Sequence, residues 1–183
     1  MPLLTLCACR GPEKTNQSNF EVDTPTDDSG REDMEVVDLT QFDQWEILGE
    51  EFDPYPDHRT PEYTCDSSGI LPEDLVLEIN TNDCGYAIVG QPLQADIQPG
   101  DLIELLMYHS ALSSTDEAAE GHFSLMVGER VFWEKTIPIP WNAEVYLVPI
   151  ITDWSAEAGT MVRIHLHNHG GNSWRVGYLK RVR

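Results

Sequence analysis

Residues 159–183, GTMVRIHLHNHGGNSWRVGYLKRVR, decide the fold. Three histidines stand at alternating positions, His165, His167 and His169, in a strand-like run. Asn168 stands between the last two histidines; a glycine pair, Asn172 and Trp174 follow, and then a second strand. Alternate residues on a strand project to the same side. A strand reaching its last histidine therefore sets all three imidazoles on one face, beside Asn168, Asn172 and Trp174 near the turn. In the closing strand Arg175, Gly177 and Leu179 are expected opposite Trp174, Val176, Tyr178 and Lys180. A face of this kind suits a metal, a sugar, or no ligand at all as a polar edge.

Working outward, further short strands read at 75–79, 86–89, 101–109, 121–127, 130–135, 143–148 and 161–167, divided by turn residues. Pro99-Gly100 and Gly128-Glu129 are the sharpest turns, and Pro138 and Pro140 end the strand before them. Only 71–74 and 155–158 read as briefly helical. No long helical period is present. Many short strands between turns predict an all-β protein, an antiparallel β-sandwich.

The chain has 183 residues and a formal net charge of -21. Phosphate binding needs clustered Lys and Arg, so nucleic acid is excluded as a partner. The one basic cluster, Lys180, Arg181 and Arg183, reads as a solvated end. No apolar run approaches the roughly 20 residues of a membrane helix.

Leu6-Cys7-Ala8-Cys9 resembles the bacterial lipobox, with Cys9 as the lipidated residue. No basic region precedes it and the apolar run is short, which a start codon assigned too late explains. The plain alternative is a chance cysteine in a soluble tail. Cys65 and Cys84 read as a disulfide, which would fit an oxidising compartment. Residues 1–9 are thus expected to be the remnant of a lipoprotein signal and 10–38 a disordered acidic tether with too few apolar groups to offset ordering. Residues 39–62 should form an irregular aromatic arm with a short strand around 44–48, and 63–183 the sandwich domain. Asp27-Asp28-Ser29-Gly30 lacks the alternating oxygens and closing Glu of an EF-hand loop; a structural calcium elsewhere stays open.

Two resemblances extend this reading. The order of signals from Asp96 to Arg183, with Pro99-Gly100-Asp101, the hairpin 126–131, the turn 158–160 and the Gly-rich turn before the last strand, resembles the galactose-binding-like jelly roll of many carbohydrate-binding modules. It implies a jelly-roll sandwich. The combination of Cys84-Gly85-Tyr86, Gln91-Pro92-Leu93, Tyr108-His109, the run 137–140 and the run 165–174 is similar to a family of exported proteins and predicted lipoproteins from myxobacteria and related groups. That resemblance implies export and fold, and assigns no catalytic residue.

Two site hypotheses follow. In the first, a glycan stacks on Trp174 while Asn168, Asn172 and His169 bind hydroxyls, since sugars are held by an aromatic platform and a few fixed polar groups. Its plain alternative places Trp174 in the core and the asparagines in turn chemistry. In the second, His109, His122, His165 and His167 hold zinc or copper, for which neutral imidazole is the common ligand. Its plain alternative is four hydrogen-bonded strand histidines. No Gly-x-Ser-x-Gly elbow, His-Glu-x-x-His or P-loop occurs, so an enzyme is not expected. The expectation is a monomeric, exported, lipid-anchored binding protein of a Gram-negative bacterium, at the periplasm or cell surface. Its partner would be a glycan or a cell-surface protein, with no obligatory cofactor. A structural or protein-docking lipoprotein without a small ligand is the third alternative.

Overall fold

The computed structural model describes residues 35–59 and 64–183. Cys9, the expected signal remnant 1–9 and residues 10–34 of the expected tether lie outside the described residues. Eleven strands form two antiparallel sheets: β1 (Val36–Asp38), β2 (Glu46–Ile47), β3 (Ile70–Glu73), β4 (Val76–Asn80), β5 (Tyr86–Pro92), β6 (Leu102–His109), β7 (Glu120–Val127), β8 (Arg130–Pro138), β9 (Glu144–Ile151), β10 (Met161–Asn168) and β11 (Ser173–Val182). One sheet runs β3-β4-β11-β6-β9, with β1 also on β11; the other runs β2-β5-β10-β7-β8. The chain is an antiparallel β-sandwich, as its alternation predicts. No helix among the described residues is long and apolar enough to cross a membrane.

The core lies between the sheets. Ala87 and Val89 of β5, Val162, Ile164 and Leu166 of β10, and Phe123, Leu125 and Val127 of β7 meet Leu77 and Ile79 of β4, Ile103, Leu105 and Met107 of β6, and Trp174, Val176 and Leu179 of β11. Each such aliphatic side chain contributes about 1.5–3 kcal/mol by leaving water. Cys65 and Cys84 form a disulfide, tying the segment that follows the arm to the start of β5.

Three local expectations change. In β11 the register slips between Val176 and Tyr178. This bulge reverses the alternation, so Leu179 joins Trp174 and Val176 inside instead of facing away from them. The side chain of Leu106 lies so close to Gly177 that an added Cβ would meet it at 2.8 Å. The stretch 71–74 is not helical. It belongs to β3, an edge strand in which Pro72 is tolerated, and it turns into β4 through Asp74 and Leu75 at φ 50° and 66°. The stretch 155–158 likewise holds no helix; Ala156 forms an isolated bridge with Ile97 before the turn at 158–159. Val36–Asp38, assigned by composition to the tether, pairs with Val182, Arg181 and Lys180.

β10 is buried along nearly its whole length, although only alternate residues reach the core. Something must therefore cover the outer face of its sheet. That cover is the arm. β2 pairs with Val89 and Gly90 of β5, the Leu48 amide donates to the Ile88 carbonyl at 2.8 Å, and two 3₁₀ turns follow at Glu50–Phe52 and Pro56–His58.

Candidate functional site

The outer face of the β5-β10-β7 region is built from the period-2 geometry of three adjacent strands. His167 of β10 stands opposite Tyr86 of β5 and opposite His122 of β7. His165 stands opposite Ser124. The arm adds Asp53, Tyr55 and His58 from above. The Tyr55 ring stacks on His58 with centroids 5.2 Å apart and meets His122 and His165 at 4.9 and 4.8 Å.

Three histidines converge. One ring nitrogen from each of His58, His122 and His165 lies within 4.8 Å of the others. A tetrahedral zinc with Zn–N near 2.0–2.1 Å needs nitrogens about 3.4 Å apart. The hydrogen bonding favours a ligand. His122 Nε2 lies 2.7 Å from Glu134 Oε1; with the proton on Nε2, Nδ1 keeps its lone pair. A carboxylate behind a histidine is the usual outer partner of a metal ligand. His122 Nδ1, His58 Nδ1 and both nitrogens of His165 are buried without a hydrogen-bond partner. Such groups normally find one, because each orphan costs about 1–3 kcal/mol.

The electrostatics agree. Burial, reinforced by His122, His58 and His167, pushes His165 down to about 2. Burial, then His169, His58 and His122, pushes His167 down to about 4. Both rings are held in the neutral form at pH 7. Tyr86 is pushed up by burial and by Asp53. Its hydroxyl donates to Asp53 Oδ2 at 2.7 Å, and Arg59 balances Asp53 at 3.2 Å. The depressed histidines give a stability dependence of definite sign. The unfolded chain takes up protons near pH 6.5 while the native state does not. In the metal-free protein the resulting stability is complete above pH 6.5. It declines as pH falls, first through the His167 window and then toward that of His165. Urea midpoints should drop between pH 7 and pH 5 by the equivalent of about 1–2 kcal/mol per pH unit, more steeply than in a His165→Leu variant.

The predicted metal set is thus brought together only in part. His122 and His165 belong to the triad, and His167 adjoins it with its ring 5.9 Å from His58. His109 does not belong. It lies on β6 of the opposite sheet, 2% exposed, with its ring 4.9 Å from Trp174 and Nδ1 at 2.7 Å from the Ser110 carbonyl. The core separates it from the outer face that carries the triad. His58, the third member, was missed by sequence reasoning because it sits in a Pro-rich irregular segment. Its one signal is Tyr55 three residues earlier, both in an arm that needed a surface to cover.

Of the predicted sugar set, Trp174, Asn168 and Asn172 are buried and His169 is half-buried. Trp174 is 1% exposed and donates its indole N–H to Asn168 Oδ1 at 3.0 Å. Asn168 donates to Thr81 Oγ1 at 3.0 Å and to the Gly170 carbonyl at 2.8 Å. Asn172 Oδ1 accepts from the Ser113 amide at 2.8 Å. His169 Nδ1 accepts from the Glu120 amide at 3.2 Å. Trp174, Asn168 and Asn172 close the end of the sandwich and offer no face to a sugar.

No family model and no curated protein matches the chain. Solved structures similar to it include a carbohydrate-binding module, CBM4, at 11% identity and TM-score 0.39, covering 78% of this chain and 96% of that one. A second is the carbohydrate-binding module TmCBM61 in complex with β-1,4-galactotriose, at 8% identity and TM-score 0.34, covering 76% and 89%. A third is the enzymatically active domain of tailspike protein 4 of bacteriophage CBA120, at 12% identity and TM-score 0.37, where 83% of this chain matches 20% of that one. Likeness at this level is one of architecture and says nothing of activity.

Proposed function

We propose that this protein binds a transition-metal ion, zinc or copper, on His58, His122 and His165. The observation that carries the reading is the convergence of three ring nitrogens within 4.8 Å, most of them buried and unpartnered. An all-imidazole donor set suits zinc and copper better than calcium or magnesium, which prefer oxygen. The role is one of holding a metal, in keeping with the lack of a catalytic motif. Its compartment is proposed to be oxidising and outside the cytoplasm, which the Cys65–Cys84 disulfide supports; lipid anchoring at Cys9 is part of the same proposal. Full-length untagged protein, titrated with zinc and separately with copper, should take up one equivalent. The His58→Ala/His165→Ala double variant should take up none. Equal uptake by both proteins would overturn the assignment.

A second reading, glycan binding, rests on Trp141 in place of the buried Trp174. Trp141 is 47% exposed and is fixed by backbone pairing with Leu112 and by its indole N–H donating to Glu144 Oε2 at 2.9 Å. It borders a shallow cavity of about 420 Å³ with Ala111, Leu112, Pro140 and Asn142. A rigid exposed indole beside polar groups is a platform on which a sugar ring stacks. On a glycan array Trp141→Ala should lose any retained sugar without a change in melting. Retention unaffected by that change would remove this platform.

A further inference from the structure

We infer that the metal fastens the arm, so that residues 49–59 close over the sheet when the ion is bound and open when it is removed. The inference rests on the metal reading above and adds to it a function for the ion.

The ligands are divided between two bodies of structure. His122 and His165 stand on β7 and β10 inside one sheet. His58 ends the second 3₁₀ turn of the arm. An ion shared by the three is a cross-link between arm and sheet. The arm is also held at its base, where the Leu48 amide pairs with Ile88. Beyond it the chain is tied by the Cys65–Cys84 disulfide. Opening therefore lifts the middle of the arm while the fold stays connected.

The remaining contacts that hold the arm down are polar apart from the Tyr55 ring, which packs on His122 and His165, and Arg59, which lies over the Tyr86 ring. Tyr86 donates to Asp53 and lies 3.0 Å from the Tyr55 carbonyl. Arg163 Nη1 donates to the Phe52 carbonyl at 3.1 Å. Against them, closure without an ion buries the unpartnered nitrogens of His58, His122 and His165, which water would satisfy in the open state. Phe52, Pro56 and Asp57 remain exposed while Pro54 and Tyr55 are half-buried, so the apolar burial that favours closure is confined to part of the arm. The metal reverses this balance, because it supplies the missing partner and binds only the closed form with all three ligands. A ligand selective for one state shifts the equilibrium toward it by mass action. At a free metal concentration 100 times Kd, the open population falls about 100-fold.

Hydrogen exchange of the full chain, read by mass spectrometry on peptides covering 49–59, tests this. Zinc is compared with EDTA, and metal uptake is followed on the same samples. Amides of the arm should exchange up to about 100-fold more slowly with zinc, while core peptides of β6 and β7 change little. In His58→Ala the arm should exchange rapidly with or without zinc, even where His122 and His165 retain some metal. Stoichiometric zinc uptake with unchanged arm exchange would overturn the fastening role and leave the metal site standing. Absence of uptake would overturn the metal reading and this inference with it.

Discussion

Replacing Trp174 with alanine should lower the stability of the sandwich by about 3–5 kcal/mol, the range for removing a buried large aromatic side chain. Trp174 is among the largest fully buried side chains of the core. It stacks near parallel on Phe123 with centroids 6.3 Å apart and packs at a tilt against His109. Gly121 lies directly against the indole, where an added Cβ would come within 2.6 Å of it, so the neighbouring strand has been cut back to admit the ring. Alanine would leave a cavity and would also strip Asn168 Oδ1 of its indole donor. Domains of this size have about 5–15 kcal/mol in total, so the variant should unfold at much lower urea. A variant that melts like the parent would contradict the placement of Trp174 and return it to the surface as a ligand platform.

The second large effect has the opposite sign. His165→Leu should abolish metal uptake while making the metal-free protein more stable, by about 1–3 kcal/mol, because it replaces two buried unpartnered nitrogens with apolar surface of similar size. Both nitrogens of His165 lack a partner, and the ring is 1% exposed. A cost to the apo fold at this position is what the proposed metal site expects. Urea midpoints in EDTA measure this. Destabilisation in EDTA would mean that His165 serves the fold alone.

The fold was legible because it depends on alternation, which the chain displays openly. His165 and His167 project to one side of β10, and Val162, Ile164 and Leu166 to the other, as a half-buried strand requires. The phase of β11 was not legible. A bulge is a one-residue backbone choice at Gly177, made where Leu106 crowds the opposite strand. The hairpin at Asp74-Leu75 was missed for a related reason. Left-handed turns usually announce themselves with Asn or Gly, and here two other residues adopt them. Of the three clustered histidines, His122 and His165 followed from the strands they sit on. His109 was wrongly joined to them because strand position alone does not say which sheet, or which side of it, a residue occupies. His58 depends on how an arm without periodicity folds back over the sheet, which no local pattern encodes. Trp174 with its two asparagines has the composition of a sugar site and of a capped core alike; only burial separates the two.

The most direct test of the metal site is a crystal of the full-length protein grown with zinc, measured on both sides of the zinc absorption edge. A single anomalous peak about 2.0–2.1 Å from nitrogens of His58, His122 and His165, with the arm closed over it, is the predicted result. Zinc found only elsewhere on the acidic surface, with those three rings unligated, would contradict it.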